Sequence, residues 1–359
     1  MPDTHTPEKL GKNDNIHDNL MTPVYTILPD ITPALWECNR PLKMSFEDQL
    51  SILVYFHLEE HRSGSHLLRA LEKEHFPRQH IAPVGNIEKS SFVEDISSHG
   101  LQQMTEMLSK LYTKAVKHLP QEYAQLGDLV LISGSSIDGI LSAYWADYPK
   151  DSKKPNVLLC FDLNRGIPNR IFLTDGIETE RFFIETILAP GETGVMDREY
   201  QNHKLFDSWQ AEGKYYICRI KASTKKTATR MSVIHPDSTV FYDAVVLLGI
   251  HSVDLTVKEV RLIGYREANV NYWIATNRHD LTAEQITFAY KLKWSIEIFS
   301  GWWKHHLKIY HLVSRSQYGL MVQMLSGLIT YILLTICSYD QHRKHGFRQM
   351  SEGDDLQFL

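Results

Sequence analysis

Between Asp128 and Ile220 the chain alternates short apolar β-prone runs with helical runs, and that order limits the folds open to it. Asp128-Leu-Val-Leu-Ile-Ser133, Val157-Leu-Leu-Cys-Phe161 and Arg170-Ile-Phe-Leu-Thr174 read as three strands, the last two separated by a turn at Asn164–Gly166 and by Pro168. A helix over 178–188, a short strand Thr193-Gly-Val-Met-Asp197, a helix over 202–211 and a strand Tyr215–Ile220 follow. Three strands, helix, strand, helix, strand predict an α/β fold, a mixed sheet flanked by helices. Asp138 leaves the first strand and Asp197 ends the fourth. In such a sheet the ends of adjacent central strands are where functional side chains can meet.

A second feature constrains the chemistry. Thr282 with Gln285 three residues later makes a capping box, and no Pro interrupts the run that continues through Tyr290 to Lys308. At about 100° per residue, Tyr290, Lys293, Glu297, Lys304 and Lys308 fall within an arc of roughly 60°. Trp294, Ile296, Ile298, Phe299, Trp302, Trp303 and Leu307 cover most of the remaining circumference, so the helix is expected to be buried with its charged stripe facing a cleft. A lone acid among cations suits a metal-binding carboxylate beside a phosphate ligand. The plainer alternative is a solvated face with a Lys293–Glu297 pair at i,i+4.

Around this core the chain divides by texture. Residues 1–43, with six prolines, read as an irregular arm, and 44–127 as a helical domain that starts at the Ser45 cap with Asp48 at the third position. Helical segments are expected at about 45–62, 64–75, 88–97 and 100–119, with a weak helix-turn-helix signal around Gly85–Ser91. Residues 128–221 read as the first part of an α/β core, 222–280 as an inserted β-rich antiparallel subdomain, and 281–339 as the core helices. The rival for 222–280 is that its strands extend the main sheet. Tyr318–Tyr339 is uncharged, but Gln323, Ser326, Gly327, Thr330 and Thr335 dilute it, and a core helix packing the Tyr290–Lys308 helix is preferred to a membrane span. Residues 340–359 read as a polar, loosely ordered tail.

Charge separates the two halves. Residues 1–127 carry twelve Lys and Arg against seventeen Asp and Glu, the whole of the net −5, whereas 201–320 carry sixteen against ten. From Gly213 to Pro236 there are six cations, among them Lys221, Lys225, Lys226 and Arg230, and no acid. Such a patch is compatible with binding of a phosphate backbone, or is a solvated loop. The scattered Cys38, Cys160, Cys218 and Cys337, with no CxxC pair and no secretory pattern at the start, indicate free thiols in a cytoplasmic protein. One competing motif exists: His57-Leu-Glu-Glu-His61 fits the H-x-x-E-H pattern of inverted zinc peptidases, with Glu60 as general base.

Three carboxylates without His or Cys are the donor set expected for hard divalent cations acting on a phosphodiester. Isolated aspartates are, alternatively, turn or cap residues. The spacing Tyr290-x2-Lys293-x3-Glu297-x6-Lys304 resembles the Y-R-E-K signature of insertion-sequence-4 family DDE transposases, with Lys293 in place of Arg. Ser136-Ile-Asp138-Gly resembles the family's first-aspartate motif, and Gly194-Val-Met-Asp197-Arg-Glu-Tyr200 its second, usually D-R-G-Y, with Glu199 departing from Gly. Tyr272-Trp-Ile-Ala-Thr-Asn277 leads into the signature as the family's third block does.

The resemblance implies a ribonuclease H-like core in which Asp138, Asp197 and Glu297 hold two Mg²⁺ ions, or Mn²⁺ in their place. Tyr290, Lys293, Lys304 and Lys308 would contact phosphates of double-stranded DNA, with Lys221, Lys225, Lys226 and Arg230 adding backbone grip. It further implies cut-and-paste transposition by a homodimer that engages terminal inverted repeats and target DNA, with no membrane partner. A nuclease without strand transfer, a defective copy that represses by binding ends, and the His57/Glu60/His61 peptidase are the alternatives.

Overall fold

Two helix starts read from the sequence are built as expected. Ser45 Oγ accepts from the Asp48 N–H at 3.1 Å while Asp48 Oδ2 accepts from the Ser45 N–H at 3.2 Å, and helix Phe46–Leu58 follows. Thr282 and Gln285 do the same for helix Ala283–Lys291. The computed structural model describes residues 10–33, 44–59, 61, 63–81, 89–135, 156–174, 184–234, 238–294, 299, 313 and 316–352. The chain divides into two compact units, Met1–Leu119 with Gly301–Leu359, and Pro120–Ser300.

The first unit is helical. Helices Phe46–Leu58, Lys89–Ser98 and Leu101–His118 pack on helix Gln317–Glu352, whose Leu325, Leu328, Ile329 and Ile332 are buried. Tyr318–Arg343 is long and apolar enough by composition to cross a membrane, yet 72% of its most apolar window is buried within the protein. The described partners of this helix are therefore the N-terminal helices. Most of the signature segment, 295–298 and 300–312, lies outside the described residues, and the stretch 281–339 is split between the two units.

Two irregular readings are corrected. The arm contains an 18-residue helix, Leu10–Ile27, despite Pro23 inside it. An interior Pro costs about 3 kcal/mol, but burial of Leu20, Met21, Val24 and Ile27 on one face returns about 1.5–3 kcal/mol each. The polar tail is likewise helical as far as Glu352, with His118 Nε2 and Asp340 Oδ1 2.7 Å apart. The helix-turn-helix candidate around Gly85–Ser91 lies outside the described residues as far as Glu88, and residues 89–91 open helix Lys89–Ser98.

The second unit is built on one nine-stranded sheet: β1 Leu129–Ser135, β2 Asn156–Asp162, β3 Ile167–Thr174, β4 Thr193–Met196, β5 Tyr215–Arg219, β6 Lys226–Met231, β7 Val240–Leu248, β8 Val260–Glu267 and β9 Val270–Thr276. Their order is β3-β2-β1-β4-β5-β9-β8-β7-β6. β1, β4 and β5 run parallel and every other pairing is antiparallel. The sheet is mixed, as expected. The stretch 222–280 is not a separate insertion, because β9 pairs with β5 and carries β8, β7 and β6 outward in the same sheet. Pro168, expected between strands, lies within β3, an edge strand where a missing N–H is tolerated.

One face of the sheet carries Val130, Ile132, Leu158, Met196, Tyr216, Ala244 and Leu262, packed with Leu205, Phe206 and Trp209 of helix His203–Ala211. Phe206 stacks on Tyr216 with centroids 4.4 Å apart. The packing is tight enough to require a glycine in β4. A Cβ at Gly194 would stand 2.9 Å from Leu188 Cδ1 and 3.2 Å from Trp209 Cζ3. Gly194→Val is expected to cost about 1–3 kcal/mol by overpacking, read as a lower urea midpoint at unchanged slope. An unchanged midpoint would mean that Leu188 and Trp209 yield freely.

Candidate active site

Asp197 stands where β4 ends. The registers Ile132↔Met196 and Met196↔Cys218 put the end of β4 between β1, which runs on to Ser135, and the last residues of β5. Asp197 caps the single 3-10 turn Arg198–Tyr200, its Oδ1 accepting from the Arg198 N–H at 2.7 Å. Gln201 ties the loops after β4 and β5 together, since its Oε1 accepts from the Lys221 N–H at 2.9 Å and its Nε2 donates to Thr224 Oγ1 at 2.9 Å.

The signature segment reaches the same place by a different geometry from the one expected. It is not one helix from Thr282 to Lys308: helix Ala283–Lys291 closes at Leu292, and Leu292–Lys293 form a turn. The Lys293 N–H donates to the Tyr290 carbonyl at 3.1 Å, a tightened i→i+3 turn that keeps the two residues on one face. Lys293 follows the break, and its Nζ donates to Asp197 Oδ2 at 2.6 Å, linking residues 96 apart in the chain. Asp138, Glu297, Lys304 and Lys308 lie outside the described residues.

Helix Ala283–Lys291 is aimed by residues between β9 and its cap. Asn277 Oδ1 accepts from the Tyr216 N–H and its Nδ2 donates to the Lys214 carbonyl, both at 2.9 Å, clamping the end of β9 to the start of β5. Arg278 donates to the Leu126 carbonyl at 2.9 Å and to Thr193 Oγ1 at 2.7 Å, which ties the same turn to the start of β4. Arg261, paired through two bonds with Asp243 at 2.8 and 3.0 Å, also donates to the Leu281 carbonyl at 2.6 Å, just before the Thr282 cap.

A cation that the sequence reading left out of the site belongs to it. Arg219 ends β5 with Nη1 3.9 Å from Asp197 Oδ1 and its guanidinium 4.8 Å over the Tyr272 ring. The available signal was its position at the end of the strand that follows Asp197.

Burial by itself would raise the Asp197 carboxyl. The hydrogen bonds from Lys293 and from the Arg198 N–H, with the charges of Lys293 and Arg219, outweigh it and hold the group below the usual carboxylate range. Asp197 is thus an ionised, half-exposed hard oxygen donor. Burial, and secondarily the Asp197 charge, raises the Tyr290 phenol, which stays a neutral hydrogen-bond donor. Burial and the Asp197 charge also raise the Cys218 thiol, which removes it as a thiolate ligand.

The basic run is not uniform. Lys221, Lys225 and Arg230 are exposed, the last on edge strand β6. Lys226 instead donates to the Ala222 and Thr224 carbonyls at 2.8 Å each and lies 4.8 Å over the Trp273 ring, where burial lowers its pKa. Its hydrogen bonds are spent on holding the loop.

The chemistry of Asp197 fits a divalent ion: it offers carboxylate oxygens only, it is ionised, and it already draws an ammonium onto one oxygen. Among the described residues no group of three His, Cys, Asp or Glu side chains could hold a metal. The peptidase geometry is not formed. Helix Phe46–Leu58 ends before His61, His57 Nε2 lies 3.1 Å from Ser326 Oγ, and His61 Nδ1 lies 3.0 Å from His66 Nδ1. The two imidazoles are committed to different neighbours.

Sheet and site together describe a mixed α/β protein that gathers an ionised aspartate and two cations at the ends of its central parallel strands. Residues 137–333, more than half of the chain, match the family of the transposase DDE domain, and the chain belongs to that family. It is 25% identical over 205 residues to a protein assigned as the transposase of insertion sequence element IS5377 in Geobacillus stearothermophilus, covering 56% of this chain and 53% of that one. It is also 25% identical over 186 residues to one assigned to insertion sequence element IS4SA in Synechocystis, covering 49% and 51%. The matched part thus spans about half the length of these curated relatives.

Proposed function

We propose that this chain is the transposase of an insertion sequence of the insertion-sequence-4 type, with a ribonuclease H-like core that cuts double-stranded DNA at the element's ends and joins them to a target. The observation that carries this reading is the 2.6 Å contact between Lys293 and Asp197. It unites the second-aspartate block with the Tyr290–Lys293 part of the signature, as a shared site requires. Parallel pairing of β1 with β4 adds to it. In the chain Asp138 follows β1, the parallel neighbour of the strand that ends at Asp197.

In this reading Asp138, Asp197 and Glu297 would hold divalent ions, which when bound activate the attacking oxygen and stabilise the leaving one. Lys293 and Arg219 would neutralise the phosphate beside them, and Tyr290 would donate from its protonated phenol. Lys304 and Lys308 would extend this grip along the strand. A homodimer would pair two ends. The protein would act in the cytoplasm, on the nucleoid.

The direct test uses the DNA that flanks the coding region on either side, incubated with the full chain and Mg²⁺. Cleavage at the borders of matching inverted repeats is expected; intact flanks under conditions where the protein binds them would sink the reading in favour of a repressor. Salt titration of the same binding reports the phosphate contacts. Neutralising Lys221, Lys225 or Arg230 should each lower the log–log salt slope by about 0.9 if that residue touches a phosphate. Lys226→Ala should lower it less, because Lys226 is held by two carbonyls and Trp273. Equal slopes for all four variants and the parent would assign the run to solvated loop.

A further inference from the structure

We infer that Lys293 occupies the position of a divalent cation on Asp197 and is displaced by the metal, so that metal loading releases its ammonium toward substrate phosphate. The inference rests on reading Asp197 as a metal ligand.

Three observations support it. The Asp197 carboxylate has one oxygen already engaged, since Oδ1 accepts from the Arg198 N–H at 2.7 Å and lies 3.9 Å from Arg219. The other, Oδ2, is the one Lys293 takes at 2.6 Å. A divalent ion held by Oδ2 would have to share that oxygen with the Lys293 ammonium, and two cations at one oxygen repel. Metal and ammonium therefore compete for the same oxygen.

The two cations beside Asp197 also differ in freedom. Arg219 is stacked on Tyr272 at the end of a strand, so it remains when the carboxylate changes partner. Lys293 sits after a helix break on a flexible stem, and Asp197 is its ion-pair partner among the described residues. It can swing from Oδ2 to a nearby phosphate without moving the backbone. A lysine suits this exchange better than a two-pronged guanidinium, which gives a chemical reason for Lys at 293.

The test is Mn²⁺ binding to the full chain without DNA, followed by the electron paramagnetic resonance signal of free Mn²⁺. Lys293→Met should bind Mn²⁺ about tenfold more tightly than the parent, or better, because a competing charge is gone. Adding Asp197→Asn to Lys293→Met should remove the gain. Lys293→Arg, which keeps the charge, should stay near the parent. If Lys293→Met misfolds by circular dichroism, Lys293→Gln replaces it with the same expectation.

Parent-like affinity in the charge-removing variant, with weaker binding in Asp197→Asn, would overturn the inference and leave Asp197 as a metal ligand. A gain that survives Asp197→Asn would overturn it too, because the metal would sit elsewhere. Unchanged binding in both single variants would overturn the inference together with the reading of Asp197.

Discussion

Asp197→Asn is expected to lower Mg²⁺-dependent cleavage of the element's end by about a thousandfold or more, while binding of the same DNA changes less than about threefold. The size follows from the role: a metal-held oxygen contributes several kcal/mol to the transition state, and each 1.4 kcal/mol is tenfold in rate. Asn keeps the shape and can still accept from the Arg198 N–H, but it carries no charge to hold a metal or Lys293. Asp138→Asn and Glu297→Gln should fall to the same level if the three act as one site. Single-turnover cleavage at saturating protein, beside an end-binding titration, makes the measurement. A variant that cleaves within tenfold of the parent removes its residue from the site. Loss of binding and cleavage together would point instead to a structural role for Asp197 at the turn Arg198–Tyr200.

Asp243→Ala should cost about 3–5 kcal/mol of stability, the largest loss expected from any single change outside the site. Asp243 on β7 and Arg261 on β8 are paired with side-chain exposures of only 8% and 12%, so removing the acid leaves a guanidinium buried without its counter-charge. Cleavage should drop as well. Arg261 also holds the Leu281 and Arg278 carbonyls, and a displaced guanidinium loosens the approach to helix Ala283–Lys291, which carries Tyr290 and leads to Lys293. Replacing both partners, as in Asp243→Leu with Arg261→Met, should recover part of the stability and none of the cleavage, because the carbonyls stay undonated. Urea unfolding and end cleavage are the two readouts. A loss under about 1 kcal/mol for Asp243→Ala would show that water reaches the pair.

Local chemistry was legible in the chain, because it depends on near neighbours. The capping boxes at Ser45 and Thr282 are each complete within four residues. The apolar runs of β1, β2, β4 and β5 are continuous enough to be strands buried on both faces, and Asp197 could be placed at a strand end by counting. The order of strands and helices was sufficient for a mixed α/β sheet.

Tertiary structure decided what depends on distant partners. β6 to β9 extend the main sheet because the unpaired edge of β5 accepts β9, and edge pairing leaves no local mark in a sequence. Helix Leu10–Ile27 survives Pro23 because its apolar face finds a core. Helix Ala283–Lys291 stops where a sequence without Pro or Gly gave no stop signal. Lys293 and Asp197 meet across 96 residues, with Arg219 brought alongside by parallel pairing of β4 with β5. Residue types and local spacing could nominate these groups for phosphate chemistry, but an ion pair is a fact of distance, and only the folded sheet supplies the distance.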